Sequence, residues 1–159
     1  MKIKRILVDP DRCSGCRLCE LACSFKHEKR FEPSASRITV MKEDDLGFDL
    51  PVVCWHCNRC KPAESCPTNA LGRNAEGLIC VDEEKCIGCG RCVQLCPVGA
   101  IKLHPKRDAP MFCDLCDGRP LCVEKCPMKA LTYAKTREQQ PKSPSRLVEE
   151  TIRRWRFTV

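Results

Sequence analysis

The spacing of cysteines constrains this chain more than any other feature. Of its 159 residues 17 are cysteine, and all but one fall into four clusters that begin at Cys13, Cys54, Cys86 and Cys113. Two clusters share one spacing, Cys13-x2-Cys16-x2-Cys19-x3-Cys23 and Cys86-x2-Cys89-x2-Cys92-x3-Cys96, each with a glycine (Gly15, Gly88) just before the second cysteine. The other two are stretched: Cys54-x2-Cys57-x2-Cys60-x5-Cys66 and Cys113-x2-Cys116-x5-Cys122-x3-Cys126. Three of the four end in Cys-Pro, two residues, Ala and an aliphatic: Cys66-Pro-Thr-Asn-Ala-Leu71, Cys96-Pro-Val-Gly-Ala-Ile101 and Cys126-Pro-Met-Lys-Ala-Leu131. Proline cannot donate a hydrogen bond or continue a helix, so it fixes the turn that leaves the last cysteine. The first cluster departs from this ending, because Cys23 runs into Ser24-Phe25-Lys26-His27. A fourfold repeat of this kind sets the fold.

Ordinary side-chain packing cannot be what stabilises such a chain. Aromatics are scarce (Phe 5, Trp 2, Tyr 1), while cysteine exceeds the roughly 8 to 10% that signals a scaffold held by cross-links or metal. The length suffices for one domain or for two small packed modules. Disulfides are disfavoured: the opening Met1 to Pro10 has too short an apolar run for a secretory signal. The odd cysteine count and tight C-x2-C pairs suit metal better. No run approaches the roughly 18 to 20 apolar residues of a spanning helix, so no direct membrane insertion is expected and the cytoplasm is the simpler location.

Zinc and iron-sulfur clusters are the metals to weigh. Structural zinc takes two close ligands from each of two separated knuckles. Here three closely spaced cysteines recur with a distant fourth, which suits the corners of a 4Fe-4S cubane. In the bacterial C-x2-C-x2-C-x3-C-P run the fourth cysteine ligates the other cluster of a pair, so each motif needs a partner. The second and third motifs are close in sequence and pair with each other; by elimination the first pairs with the fourth. The expected ligand sets are Cys13, Cys16, Cys19 with Cys126 (site I); Cys54, Cys57, Cys60 with Cys96 (site II); Cys86, Cys89, Cys92 with Cys66 (site III); and Cys113, Cys116, Cys122 with Cys23 (site IV). Cys80 is left over, in the strand-like Leu78-Ile-Cys-Val81, and reads as a small buried hydrophobe. His27, His56 and His104 read as surface residues or as neighbours of ligands, since the thiols already complete four sites.

The formal charge of +7 omits such clusters. Each core with its four thiolates carries about −2, so four bring the chain to about −1. The basic balance therefore offsets thiolate charge, and with no helix-turn-helix or aromatic RNA-binding motif it does not indicate nucleic acid. Between the clusters, Arg37 to Met41 and Leu78 to Asp82 read as short strands, the second after a turn at Asn74 to Gly77. Residues 28–49 read as a surface hairpin or loop. After Tyr133 a polar, proline-containing linker leads to a short helix with Ser145 as cap and Leu147, Ile152 and Trp155 as its apolar residues, either folded back or free as a docking arm.

The fold class expected is α+β: two packed bacterial-ferredoxin-like modules with short hairpins and short helices. Residues 1–30 with 105–134 would form a split module from the first and fourth motifs. Residues 31–104 would hold the insertion hairpin and a contiguous module, and 135–159 the linker and terminal helix.

From about residue 5 to 134 the chain resembles the four-cluster iron-sulfur subunits of molybdenum or tungsten pterin oxidoreductases, such as dimethyl sulfoxide reductase and formate dehydrogenase. Val8-Asp-Pro-Asp-Arg-Cys-Ser-Gly-Cys-Arg-Leu-Cys-Glu-Leu-Ala-Cys23 and Val81-Asp-Glu-Glu-Lys-Cys-Ile-Gly-Cys-Gly-Arg-Cys-Val-Gln-Leu-Cys-Pro97 carry the resemblance. Its compactness is closer to the small subunits of tungsten aldehyde oxidoreductases. The resemblance implies four 4Fe-4S clusters cross-ligated as above, and an electron-transfer subunit that is not itself an enzyme. It also implies a pterin-metal catalytic partner and a flavin or second electron-carrier subunit. A freestanding polyferredoxin and a non-redox scaffold or maturation factor are the alternatives. The second motif departs from the family's usual C-x2-C-x4-C-x3-C-P, whose third cysteine would stand at Pro62 instead of Cys60.

Overall fold

The computed structural model describes residues 4–136 and 144–155. Four antiparallel two-stranded ribbons and short helices alternate along the chain, an α+β arrangement of the ferredoxin-like kind. Strand β1 (Lys4–Val8) pairs with the distant β8 (Leu131–Lys135), and β2 (Ile38–Glu43) with β3 (Phe48–Val53). Likewise β4 (Leu71–Arg73) pairs with β5 (Ile79–Val81), and β6 (Lys102–His104) with β7 (Arg107–Met111). The helices are α1 (Leu18–Glu28), α2 (Lys61–Glu64), α3 (Arg91–Leu95), α4 (Leu121–Glu124) and α5 (Pro144–Trp155). Helix α1 packs on α4, and α2 on α3.

Each ribbon joins the strand before one motif to the strand after another, and one local device recurs. After each Cys-Pro the chain turns through a left-handed residue, Asn69 (φ 52°), Gly99 (φ 66°) or Lys129 (φ 52°). The backbone N–H of that residue donates to the carbonyl of the cysteine three positions earlier, at 3.2, 3.1 and 3.2 Å. The following alanine, Ala70, Ala100 or Ala130, is buried. Proline's missing N–H costs nothing in this turn, because its carbonyl-to-amide bond spans it.

The hairpin β2–β3 is not the surface element expected for residues 28–49. Ile38, Val40, Phe48, Leu50, Val52 and Val53 are all buried. Its two faces serve different clusters of core residues. Ile38, Val40 and Val53 pack with Ile6, Cys19, Cys23 and Cys113, while Phe48, Leu50 and Val52 pack with Val98 and Ala100. The hairpin is thus an inner wall, and its near-continuous apolar β3 is what a strand covered on both faces requires.

Helix α5 begins at Pro144, which puts Ser145 inside the first turn rather than at the cap. Proline's preset φ suits that first position. Leu147 and Val148 pack against the Phe48–Leu50–Val52 face, so this part of the tail folds back. The linker residues 137–143 and the side chains of Ile152 and Trp155 lie outside the described residues. No described helix is long and apolar enough to cross a membrane.

Candidate metal centres

Glycine precedes the second cysteine of the first and third motifs because other chain segments crowd its α-carbon. A Cβ on Gly15 (φ +63°) would meet the Asp49 carboxylate at 2.4 Å, and one on Gly88 (φ +65°) would meet Asp108 at 2.9 Å. The cysteine loops are therefore clamped from outside by β3 and β7.

These loops bring the cysteines together in fours. One small cavity is lined by Cys13, Cys16, Cys19 and Cys126. Another is lined by Cys66, Cys86, Cys89 and Cys92, and a third by Cys23, Cys113, Cys116 and Cys122. Cys57, Cys60 and Cys96 lie close enough for their thiolates to repel one another, and Cys54 feels both Cys60 and Cys96. Cys60 stands at the cap of α2 within this group, while Pro62 is buried two residues on. No two of the 17 cysteines are joined in a disulfide.

The groups also follow one another in a definite order, the first, fourth and second meeting in one core cluster and the second and third in another. Cys122 of the fourth motif lies in the field of Cys19, and Cys54 in that of Cys113. Cys54, Cys60, Cys66, Cys92 and Cys96 pack around one apolar cluster of Leu71, Ile79, Ile101 and Phe112. The series runs from the first motif through the fourth and second to the third. Within it the fourth-motif group, Cys23, Cys113, Cys116 and Cys122, is buried and Cys54, Cys57, Cys60 and Cys96 are half-buried, whereas Cys16 and Cys89 at the two ends are exposed.

The donor set fits thiolate-hungry iron. Burial pushes the Cys19 and Cys113 thiols up to about 12, with Glu20 adding to the first, and drives Cys54 and Cys122 higher still. Such groups cannot be thiolates together unless a cation neutralises them, and thiolate is the ligand form. Cys23 differs. Burial raises it, but hydrogen bonds from His27, Arg37 and Ser36 more than offset that and bring it below the ordinary thiol range. The backbone N–H of Arg37 donates to Cys23 Sγ at 3.3 Å.

Beside Cys23 stands a polar cluster that the spacing of cysteines could not reveal. Asp114 accepts from Arg37 Nη1 at 2.5 Å, from the Cys116 backbone N–H at 2.9 Å, and lies 3.0 Å from His27 Nε2. Against burial, the bonds to Asp114 and Cys23 hold the His27 imidazole up to about 9. Of the two roles expected for the histidines, surface residue or neighbour of a ligand, His27 beside Cys23 and His56 beside Cys54 take the second. His56 is fully buried, with Nδ1 accepting from the Ile79 N–H at 2.9 Å, and burial together with Arg5 and Arg73 lowers it to about 4. His56 Nε2 and Trp55 Nε1 are buried without a hydrogen-bond partner among the described residues.

Cys80 corrects a second expectation, since it is exposed and not buried. On β5 the side chains alternate, and buried Ile79 sends its neighbour outward.

Comparison with known proteins finds 4Fe-4S domains over all four motifs. Residues 79–133 and 53–100 each match a 4Fe-4S dicluster domain, and residues 10–26 a 4Fe-4S binding domain. One component of the anaerobic dimethyl sulfoxide reductase of Escherichia coli is 31% identical over 169 residues, covering 95% of this chain and 82% of the relative. The chain belongs to the 4Fe-4S dicluster family. It is similar to the polyferredoxin-like subunit of an aliphatic sulfonate oxidoreductase of Pyrococcus furiosus, 46% identical over 116 residues, covering 72% of this chain and 66% of that one. One subunit of an Archaeoglobus fulgidus tetrathionate reductase is 33% identical over 113 residues, 71% of this chain and 55% of the relative. The aligned part thus spans between about half and two thirds of those two relatives. Among solved structures, the active-site complex BamBC of benzoyl coenzyme A reductase with zinc has a TM-score of 0.54 at 25% identity, covering 98% of this chain and 93% of that one.

Proposed function

We propose that this chain is the electron-transfer iron-sulfur subunit of a larger oxidoreductase, holding four 4Fe-4S clusters in a row. The observation that carries the reading is the run of four thiol groups, the first, fourth and second sharing one core cluster and the second and third another, from exposed Cys16 to exposed Cys89. Bound clusters supply one-electron chemistry with no acid, base or nucleophile, at potentials set by hydrogen bonds, charge and exposure. The ligands are the sixteen cysteines of sites I to IV, with Cys80 excluded. In the order I, IV, II, III the cross-ligated pairs I–IV and II–III form the two modules of the chain, 1–30 with 105–134 and 31–104.

The protein's own residues do three things. Buried apolar side chains exclude water from the middle sites, Gly15 and Gly88 let the ligand loops close, and N–H groups such as that of Arg37 stabilise thiolate charge. Electrons would exchange with partners at Cys16 and Cys89, where the thiols reach the surface. One partner is a catalytic subunit, a molybdenum or tungsten pterin enzyme by analogy with the relatives named as reductase and oxidoreductase subunits. The other is a flavin or second electron-carrier subunit, and the assembly belongs in the cytoplasm. The outward face of α5 is a candidate docking arm.

Anaerobic purification from the native host, with iron quantification and identification of co-eluting chains, tests this. About sixteen irons per chain beside a pterin-metal subunit is the expected result. Sixteen irons on a lone monomer would favour a freestanding polyferredoxin. Clusters that resist every physiological reductant would favour a scaffold or maturation factor.

A further inference from the structure

A buried arginine in this fold has no carboxylate. Arg5 on β1 is only 4% exposed. Its Nε donates to the Trp55 carbonyl at 2.8 Å, its Nη2 to Asn58 Oδ1 at 3.4 Å, and the guanidinium lies 5.6 Å from the centroid of the Trp55 indole. All three partners are neutral. Among the described residues no acid comes within ion-pairing distance of it. The ionisable groups that act on it include the Cys57 thiol, the His56 ring and a second cation, Arg73. Arg73 in turn donates to the carbonyls of Cys57, Asn58 and Gly77 and pairs with no acid among the described residues either.

An arginine remains charged at every pH a protein meets, and a buried charge left without a counter-ion is strongly unfavourable. Arg73 is exposed and hydrated, so it is the buried Arg5 on the loop of residues 55–58 that is left with only thiols to answer it. Neutral thiols carry no charge and cannot supply what is missing, whereas thiolates held around a metal can. A cubane with its four thiolates carries about −2, the charge this loop lacks.

We propose that Arg5 is a positioning residue whose counter-ion is the cluster at Cys54, Cys57, Cys60 and Cys96, and that its charge raises the reduction potential of that site. This rests on the ligand reading above. Reduction adds one electron from an external one-electron donor and takes the site from about −2 to about −3, with no bond made or broken. A fixed cation stabilises the more negative state, and its burial keeps water from screening it. Arg5 reaches the second motif from β1, which precedes the first motif and pairs with β8 after the fourth.

The experiment is an anaerobic reductive titration of the full-length, cluster-loaded protein with dithionite, followed by low-temperature electron paramagnetic resonance and iron quantification. Cys57→Ser first identifies the reductive step of site II by shifting or deleting it. Arg5→Met then moves that step, and no other, to lower potential, and Arg5→Lys restores it. Should Arg5→Met not accumulate, Arg5→Gln keeps donors for Trp55 and Asn58 while dropping the charge, and it gives the same shift. A site II step unmoved in both neutral variants, with iron content intact, overturns the role of Arg5 alone. A Cys57→Ser protein that keeps every step unchanged overturns the ligand set, and the counter-ion with it.

Discussion

The same side chain behaves in opposite ways at Cys80 and Cys113. Cys80 points outward from an edge ribbon, whereas Cys113 is buried and its thiol is held up to about 12. Replacing Cys80 with serine leaves the iron content of the purified protein unchanged. Cys113→Ser lowers it by up to about four irons per chain, read by colorimetric iron assay. At Gly15 the constraint is steric rather than chemical. Gly15→Ala would place a methyl against the Asp49 carboxylate from a left-handed backbone, so it costs more than about 1 kcal/mol and reduces loading of the first-motif site. Iron content and the thermal midpoint of the loaded variant check both effects.

At the scale of elements, the ribbon β1–β8 closes the chain on itself, because it pairs residues near the two ends of the described core. Ile6 is its anchor, 1% exposed and packed with Cys19, Cys113, Cys122 and Leu131. Ile6→Ala removes that contact and costs roughly 2 to 5 kcal/mol. The thermal unfolding midpoint of the loaded protein falls accordingly, and sites I and IV lose iron before II and III, because their cysteines pack on this residue. The short helices α2, α3 and α4 are too brief to be stable alone. They are held between a cysteine at one end and a Cys-Pro turn at the other, so their order depends on what the cysteines bind.

For the whole molecule, the raised thiols link folding, metal and pH. Cys19 and Cys113 hold their protons to about 12 when no metal is present, so each releases a proton when it becomes a ligand. Protons are products of loading, and lowering the pH opposes it. Iron retention measured across a pH series is therefore expected to fall on the acid side and to hold at neutral and mildly alkaline pH. The metal-free fold has the opposite dependence: it keeps the contribution of neutral buried thiols below pH 9, their ordinary value, and loses it as pH rises towards 12. Removing iron with a chelator should then cost the chain much of its tertiary structure, seen as loss of near-ultraviolet circular dichroism.

Local spacing by itself determined the chemistry of this protein. Three near cysteines and a Cys-Pro cysteine specify thiolate ligation whatever surrounds them, because ligand loops are built from adjacent residues. The same holds for the turns after Cys66, Cys96 and Cys126, whose geometry lies within five residues, and for the strands around Ile38 and Ile79, whose alternation is visible in the chain. What lay beyond reach depends on residues far apart in sequence. The burial of the β2–β3 hairpin follows from surfaces on both of its faces, and the outward turn of Cys80 from which side of a two-stranded ribbon is covered. The Asp114 cluster joins residues 77 and 87 positions apart, and Arg5 meets its neutral partners 50 positions away. Whether an arginine in a strand faces water or a carboxylate-free interior is decided only when the chain has folded around it, since burial is a property of the packed neighbours and not of the segment that bears the charge.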